Sequence, residues 1–372
     1  MSVIYSSSIP ENIKDEYTEY SNVDFVMTFK DQLLNLNSIR LEGDLDVKHN
    51  SSSLNSVANT DKNIVYDRLV GGHAFIESVQ TEVGGSVVEN LSEYARYVKM
   101  VGAASLSPSD MYNSVNVCEL KCGDVQQTNM MMKGEVVETQ PTVPVRNNPD
   151  FSIKPKFVLN AGTGRVPYSR TGAIRVSFNL ARNFSALYGL DVSALTKYSL
   201  KNLRLVYTTV KDDGSASKLV PLRTKLNIKQ SIQSGFANIS TKVPAEVDSV
   251  SCSLQYQDEE QTAVNNNQQL QKIPSVSQVQ FLFNDSTNKY MSFSLDNNEE
   301  IVTRFIESMI DSGTNTMSTN QLALNDGYGI GLRFGGDFID LRNQKFNIQI
   351  TSALTNTRAM IMYLYFHSIM SL

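Results

Sequence analysis

Apolar and polar residues alternate along most of the chain, which is the pattern of β-strands that bury one face and expose the other. In residues 23–29 and 39–47 every second position is apolar or Gly. The same pattern predicts further strands in the first half of the chain at 64–66, 74–83, 151–159, 174–180 and 203–210. In the second half it predicts strands at 222–232, 239–243, 250–256, 276–283, 290–295, 330–334, 346–350 and 359–369. Gly84 and Gly85 predict a tight turn after the strand at 74–83.

Two isolated helices interrupt this strand pattern. The first is predicted near residues 91–103 and the second near residues 299–311. Each is preceded by an Asn with a Glu three positions later, an arrangement in which the two side chains can cap the helix reciprocally. These pairs are Asn90 with Glu93 and Asn297 with Glu300. The apolar stripes consist of Leu91, Tyr94, Ala95, Val98 and Val101 in the first helix and of Val302, Phe305, Ile306, Met309 and Ile310 in the second.

The order of these elements divides the chain into two halves of similar plan. In both, a strand, a turn and a second short strand lead into the helix, and a long apolar strand comes last. A cluster of turn-forming residues at 211–217 separates the halves. We therefore predict an all-β protein with an N-terminal arm at 1–20, a first β-domain at 21–212 and a second β-domain at 213–372.

Residues 104–150 differ from the strands around them. They contain four prolines, the run Met130–Met132 and two of the three cysteines, Cys118 and Cys122. A connection of this length inside a compact domain is typically functional or forms a surface projection. We predict a long loop inserted into the first domain.

The bulk composition excludes several classes of protein. With 372 residues and 41% apolar content, the chain can bury sizeable cores. A net charge of −5 and the absence of long Lys/Arg runs argue against a surface that binds nucleic acid over the whole molecule. Three cysteines are too few for a disulfide scaffold, so we expect reduced thiols and folding in a cytoplasm. The start of the chain does not resemble a signal peptide, and no stretch approaches the ~20 apolar residues of a membrane span.

The candidates for chemistry are few, and each has a simpler structural interpretation. His49, His73 and His367 are far apart in sequence and lack the paired spacing of a metal site. Asp44 and Asp46 face the same side of a predicted strand. They could bind a cation or act in sugar hydrolysis. Such residues more often form the solvent-exposed face of a sheet.

Two polar loops complete this survey. Gly162-Thr163-Gly164, followed by Arg165 and Pro167, superficially suggests a phosphate loop, but the strand–loop–helix context is missing and a turn between strands is the better interpretation. Residues 265–271 form an Asn- and Gln-rich tract that we expect to be an exposed loop, with a polar contact between subunits as the alternative. We predict no catalytic, cofactor-binding or metal-binding residues.

Four stretches together carry a resemblance to a known family. They are residues 70–85 with the helix that follows to Val101, residues 174–205, residues 273–285 through the second helix, and residues 338–352 leading into 361–369. Their order resembles the double jelly-roll major capsid proteins of the lineage shared by tailless icosahedral phages, adenoviruses, virophages and related large DNA viruses. The match covers most of residues 20–372 and depends on the order of elements rather than on a single motif.

The resemblance implies a structural protein of the virion. Two eight-stranded jelly-roll barrels would stand side by side, each with a short helix insertion. Homotrimers would form pseudo-hexameric capsomers of an icosahedral shell, in contact with neighbouring capsomers, penton and minor capsid proteins and, through other proteins, a membrane. The loops at 104–150 and 258–272 would form towers or clasps between subunits, and the arm would reach beneath neighbours. No enzymatic activity, cofactor or sequence-specific nucleic-acid binding is implied.

Three alternatives remain open at this point. A β-sandwich that binds a receptor or a carbohydrate would carry clustered surface aromatics. An enzyme on a β-barrel is disfavoured because His and Cys are scarce. A minor vertex protein of the same viral lineage would be pentameric instead of trimeric.

Overall fold

The structure is a computed structural model. It describes residues 3–106, 110–133, 150–214, 216, 219–232, 236–242, 246–260, 262–271, 276–283, 292–295, 298–309, 327–334, 339–340, 345–352 and 359–371.

Two antiparallel sheets form the first half of the molecule. The larger has seven strands: β1 (Val3–Ser8), β3 (Gln32–Asn35), β4 (Arg40–His49), β5 (Ser52–Ser53), β8 (Asp150–Ile153), β9 (Arg165–Pro167) and β11 (Thr196–Lys211). The smaller has four: β2 (Asn22–Met27), β6 (Ile76–Val83), β7 (Ser86–Leu91) and β10 (Ile174–Leu180). We call this pair of sheets the first sandwich.

Two further antiparallel sheets form the second sandwich. One contains β12 (Pro221–Ile232), β14 (Glu246–Tyr256), β17 (Ile330–Arg333), β18 (Ile339–Asp340) and β20 (Met360–Ser371). The other contains β13 (Phe236–Lys242), β15 (Val276–Phe283), β16 (Ser292–Leu295) and β19 (Lys345–Ser352).

Helices occupy the connections between strands. They are α1 (Tyr94–Ser105), α2 (Ser114–Cys118), α3 (Val125–Lys133), α4 (Val158–Ala161), α5 (Tyr168–Thr171), α6 (Asn183–Ala186) and α7 (Asn298–Met309). Single 3-10 turns occur at Val57–Asn59, Gly71–Phe75, Asp110–Tyr112 and Gln257–Glu259. Among the described residues, none of these helices has the length and apolar character needed to cross a bilayer.

The two sandwiches share one strand order. Without the short β3, β5 and β9, the first sandwich has eight strands, and they pair as β1-β11-β4-β8 and β2-β10-β6-β7. Without the short β18, the second sandwich also has eight strands, and they pair as β12-β20-β14-β17 and β13-β19-β15-β16. Counted along each half, the strand order is 1-8-3-6 in one sheet and 2-7-4-5 in the other, which is the connectivity of a jelly roll. The fold class predicted from the sequence is confirmed, although within the described residues the sheets stay separate and no barrel closes.

Burial follows the alternation that predicted the strands. Every second residue of β10 from Ile174 to Leu180 is buried, and Phe178 packs edge to face against Phe25 of β2 with the ring centroids 6.0 Å apart. In the hairpin between β6 and β7, Gly84 and Gly85 have φ values of 59° and 80°. Positive φ at both central residues is characteristic of a two-residue hairpin turn, so the predicted tight turn is confirmed. Glycine suits both positions because residues with a Cβ rarely adopt such values.

Strand β20 is buried on both faces. One face packs into its own sandwich, where the Phe366 ring lies 5.3 Å from that of Phe346. The other face packs against helix α1 of the first sandwich, where the rings of Tyr365 and Tyr97 are 5.3 Å apart. β20 therefore lies between the two sandwiches, which explains why its sequence is apolar almost throughout.

The predicted cap of the first helix is wrong. Asn90 belongs to β7 and pairs with Gln80 across the hairpin, so it cannot precede a helix. The helix begins only at Tyr94, after Glu93 in a left-handed conformation with φ of 51°. Pairing in the β-ladder extends the strand through residues that the sequence pattern assigned to the helix. Asn297, the predicted cap of α7, lies outside the described residues.

Other predicted elements differ from the structure in detail. Residues 3–8, predicted to belong to an arm, form β1 and pair with β11 of the same chain. The predicted strand at 151–159 ends at Ile153, and its last residues begin helix α4. Of the predicted strand at 64–66, only an isolated bridge from Val65 to Tyr188 forms. The insertion at 104–150 contains the helices α2 and α3 where it is described.

Candidate functional site

The region that fixes the two sandwiches relative to each other is the best candidate for a functional site. We call it the seam and define it as α1 and β7 of the first sandwich together with β12, β20 and residues 262–271 of the second. Here the packing includes several charged side chains that are removed from water. Such groups are costly to bury unless they are paired, so their partners define the geometry of the seam.

Arg96 of α1 is the central charged residue of the seam, and only 2% of its surface is exposed. Its guanidinium donates hydrogen bonds to the backbone carbonyls of Asn267 and Gln269 and to the side-chain oxygen of Gln255. The guanidinium carbon also lies 3.8 Å from the centroid of the Tyr363 ring. All four partners belong to the second sandwich. One side chain of the first sandwich therefore contacts several elements of the second.

A buried ion pair lies one helical turn further along α1. The Lys99 ammonium is 2.6 Å from Oδ2 of Asp67, and the two side chains are 0% and 1% exposed. Asn266 of the second sandwich donates a hydrogen bond of 2.6 Å to the same oxygen. This group therefore also spans the seam.

The start of α1 is tied to the second sandwich by polar contacts. The Tyr365 hydroxyl donates to the backbone carbonyl of Glu93 at 3.0 Å, and the Lys229 ammonium lies 2.9 Å from the Glu93 carboxylate. Asn227 donates to the Ser92 hydroxyl at 2.8 Å. These bonds fix the direction in which the helix leaves β7.

Glu89 of β7 connects three elements at the other end of the seam. Its carboxylate accepts hydrogen bonds from the backbone N–H groups of Val158 at 2.7 Å and of Lys225 at 3.2 Å. Burial raises the pKa of Glu89 above its usual value and lowers that of Lys225, whose ammonium is 3.9 Å away. The shifts reflect desolvation, which the pairing of the two groups only partly offsets.

A small cavity of about 10 Å³ lies beside Arg96. It is lined by Ala74, Glu77, Glu93, Ala95, Arg96, Ala181, Ser185, Asn267 and Gln268. Burial, together with the neighbouring Glu93 carboxylate, raises the pKa of Glu77 to about 7. Glu77 lies on β6 beside the seam, and its raised pKa brings its titration near neutral pH.

The structure does not bring the three histidines together as one site. His49 contacts the Thr196 hydroxyl at 3.1 Å and His367 contacts that of Ser251 at 3.0 Å, each within a sheet. His73 is buried, 2.8 Å from the Tyr94 hydroxyl and 3.5 Å from the Glu119 carboxylate. Burial lowers the pKa of His73 to about 4 and that of His367 to about 3. Within the part of the chain that is described, no group of His, Cys, Asp and Glu residues could hold a metal ion.

The paired carboxylates on β4 have structural partners. Asp46 accepts a hydrogen bond of 2.9 Å from the Ser53 hydroxyl and lies 3.1 Å from the Lys201 ammonium. Asp44 accepts a hydrogen bond of 2.5 Å from Asn202. Both carboxylates therefore stabilise the pairing around β4.

The Gly-rich turn at 162–164 is packed instead of open. A Cβ on Gly162 would lie 2.3 Å from the side chain of Leu222 on β12, so this glycine permits close approach of the two sandwiches. The Gly164 carbonyl accepts a hydrogen bond of 3.0 Å from the N–H of Leu36. The turn contributes to packing between strands and across the seam.

The tract at 265–271, predicted to be an exposed loop, contains only buried and half-buried residues. Asn267 and Gln268 are 9% and 4% exposed, and Leu270 is fully buried. Gln268 donates to the backbone carbonyl of Ser185 in the first sandwich at 2.5 Å. The tract is polar because it satisfies buried polar groups of the same chain, and low complexity alone does not distinguish this role from exposure.

Sequence reasoning missed Arg96 and Lys99. The apolar stripe of the predicted helix assigns no role to these two charged side chains. The signal that could have identified them is the length of the apolar runs in β20, which predicts that a neighbouring element covers that strand.

Comparison with known proteins gives the same architecture. No family model matches the sequence, and no curated protein matches it. Similar solved structures include the PBCV-1 virus capsid (TM-score 0.62, 9% identity, covering 100% of this chain and 94% of that one). They also include the major capsid proteins of Faustovirus (TM-score 0.54, 9% identity, 100% and 90% covered) and mavirus (TM-score 0.52, 9% identity, 99% and 90% covered). The chain therefore has the double jelly-roll fold of these viral capsid proteins.

Proposed function

We propose that this protein is a viral major capsid protein that assembles as pseudo-hexameric homotrimers into an icosahedral shell. The observation that carries the proposal is the repeated strand order of the two sandwiches within one chain. Two similar bodies per chain allow three chains to occupy six equivalent positions around an axis. A closed ring of this kind is the common outcome of a head-to-tail contact whose rotation closes.

The seam supports this proposal because it gives the two sandwiches a fixed relation. Arg96 donates its hydrogen bonds to residues of the second sandwich, and the buried carboxylate of Asp67 accepts one from Asn266 of that sandwich. A subunit that contacts identical neighbours on several sides needs its two sandwiches in a fixed relative orientation. We also propose that the first domain extends to residue 212 and the second begins at 213, which is supported by the end of β11 at Lys211 and the start of β12 at Pro221.

Exposed apolar side chains near the start of the chain support contact with other subunits. Within residues 3–20, which the structure describes, they are Val3, Ile4, Tyr5, Ile9, Ile13 and Tyr20. Apolar side chains concentrated in one segment favour a surface that another molecule covers. We propose that this segment contacts a neighbouring subunit or capsomer.

The proposed role is structural, without enzymatic activity on a substrate, and its place is the virion. Neighbouring capsomers, penton and minor capsid proteins are the proposed partners, and a membrane would be reached only through other proteins. The net charge of −5 is consistent with a shell that does not bind its genome directly.

Electron microscopy of the purified protein tests the proposal. We expect particles with six lobes of similar size around a central axis, and ordered arrays of these tiles at high concentration. Particles with five lobes would favour a vertex protein. Single two-lobed particles that bind a glycan would favour a carbohydrate-binding protein.

A further inference from the structure

Three side chains at the seam could react with one another, and the structural role of the seam does not require this. They are Lys99, Asp67 and Asn266. The Lys99 amine nitrogen and the Asn266 amide nitrogen each lie 2.6 Å from the same oxygen, Oδ2 of Asp67. Lys99 belongs to α1, Asp67 precedes the turn Gly71–Phe75, and Asn266 belongs to the second sandwich. An amine, a carboxyl group and a primary amide are therefore held together across the seam.

The other oxygen of Asp67 is held by the backbone. Oδ1 accepts hydrogen bonds from the N–H groups of Leu69 at 2.9 Å and Val70 at 3.2 Å. These bonds fix the carboxylate so that Oδ2 faces the two side-chain nitrogens. The carboxylate is thus positioned to carry a proton between an amine and an amide, as a general acid–base group must be.

Burial keeps water away from the amine. Lys99 is 0% exposed, and a lysine amine attacks an amide only in its neutral form, so the proton has to pass to a neighbouring group. Burial also raises the pKa of Asp67, but Lys99 and Asn266 outweigh this effect and leave the pKa below its usual value. The resting state is therefore the ion pair, and transfer of one proton from Lys99 to Asp67 gives a neutral amine beside a neutral acid.

We propose that Lys99 and Asn266 become joined by an intramolecular isopeptide bond, with Asp67 as the catalytic residue. The Lys99 ammonium gives a proton to Asp67, and the neutral Nζ attacks Cγ of Asn266 to form a tetrahedral intermediate. Asp67 returns a proton to the Asn266 nitrogen, the Cγ–Nδ2 bond breaks, and ammonia leaves with the remaining proton of the attacking amine. One ammonium ion is released for each amide bond formed, and no oxidant or other reactant is needed.

The position of this bond would have a mechanical consequence. It would link helix α1 of the first sandwich to the polar tract of the second, independently of the backbone connection at 211–221. The fixed orientation of the reacting groups replaces an external catalyst, since proximity alone contributes a large part of the rate of such reactions. The two sandwiches would then remain joined at the seam even when the non-covalent contacts open.

The intact mass of the purified full-length protein under denaturing conditions tests the proposal. We expect the mass to be lower than that of the sequence by one ammonia molecule, and tandem mass spectrometry of a digest to show a branched peptide that joins Lys99 to Asn266. The variants Lys99→Arg and Asp67→Asn should retain the full sequence mass. Asn265→Ser, a change in the neighbouring residue of the same tract, should still lose ammonia.

Two results would overturn the proposal. The first is a wild-type mass equal to that of the sequence after prolonged incubation of folded protein. The second is a loss of ammonia that persists in Lys99→Arg, because that loss would come from an Asn side chain closing on its own backbone. The wild-type measurement is decisive even if a variant fails to fold, and it does not depend on how many chains associate.

Discussion

The Arg96 guanidinium lies 3.8 Å from the centroid of the Tyr363 ring, although Arg96 belongs to helix α1 of the first sandwich and Tyr363 to β20, the last strand of the second. A cation over a ring face is attracted by the ring quadrupole, and the attraction is stronger where water is excluded. The contact couples the first turn of α1 in one jelly roll to β20, a strand of the other that is buried on both faces. Contacts within a single chain therefore fix how the two sandwiches are placed relative to each other.

Replacing Arg96 should therefore destabilise the protein strongly. Arg96→Met retains much of the side-chain volume but leaves the carbonyls of Asn267 and Gln269 without their buried donor. We expect a loss of about 3 kcal/mol in the free energy of unfolding, measured by urea denaturation. Arg204→Met is the matched control, because the Arg204 side chain is 60% exposed in its ion pair with Glu42 and should cost less than about 1 kcal/mol. Equal losses in the two variants would contradict the role assigned to Arg96.

Glu77 should make the stability depend on pH. Its pKa is raised from 4.5 to about 7, so the folded protein holds this proton more tightly than the unfolded chain does. The resulting contribution to stability is complete below pH 4.5 and is lost as the pH rises through about 7. Glu77→Gln stays neutral, so it should match the wild type near pH 4.5 and exceed its stability by about 3 kcal/mol at about pH 8.

Denaturation curves of both proteins across this pH range measure the effect. The difference between them reports the titration of Glu77 together with its coupling to neighbouring charges such as the Glu93 carboxylate. A difference that stays constant from acid to alkaline pH would show that Glu77 keeps one charge state throughout.

Two glycines with similar backbone conformation should respond differently to alanine. Gly71 and Gly85 have φ values of 60° and 80°. A Cβ on Gly71 would lie 2.2 Å from the Glu119 carbonyl oxygen, whereas one on Gly85 would meet nothing within 4 Å. Gly85→Ala should cost about 1 kcal/mol from backbone strain alone, and Gly71→Ala more than about 3 kcal/mol. Thermal unfolding of the two variants measures the contribution of the packing around residue 119; similar melting temperatures would show that the insertion does not pack closely there.

The apolar segment at the start of the chain should act in association and not in folding. Ile13 is 72% exposed, so Ile13→Asp should leave the melting temperature of the single chain unchanged. If another subunit covers this residue, the charge should weaken association between chains, measured by light scattering against concentration. Leu190→Asp, at an 80% exposed residue elsewhere, is the control and should associate as the wild type does. Normal association of Ile13→Asp would place the contact surface elsewhere.

The strands with clear alternation could be predicted from the sequence almost to the residue. The strand predicted at 276–283 is observed as Val276–Phe283, because its pattern depends only on which face is buried. β1 could not be predicted in this way. Its partner strand, β11, is about 200 residues away in sequence, and its sequence VIYSSS contains only one short apolar run.

The seam was the least predictable part of the molecule. Whether Gln268 is exposed or buried depends on the position of Ser185 in the other sandwich, which no local pattern encodes. The boundary between β7 and α1 was misplaced for a related reason, since the pairing of Asn90 with Gln80 outweighs its preference for a helix cap. The duplicated order of strands, in contrast, could be predicted from the sequence, because the same local patterns of strand, turn and helix occur in both halves.

The mass of the purified protein in solution tests the central claim most directly. If two like sandwiches in one chain serve to fill a six-sided tile, native mass spectrometry should find three chains in each particle. The trimer should persist on dilution, because a permanent interface of this kind buries a large area. A protein that stays a single chain at every concentration, or that forms pentamers, would contradict the account.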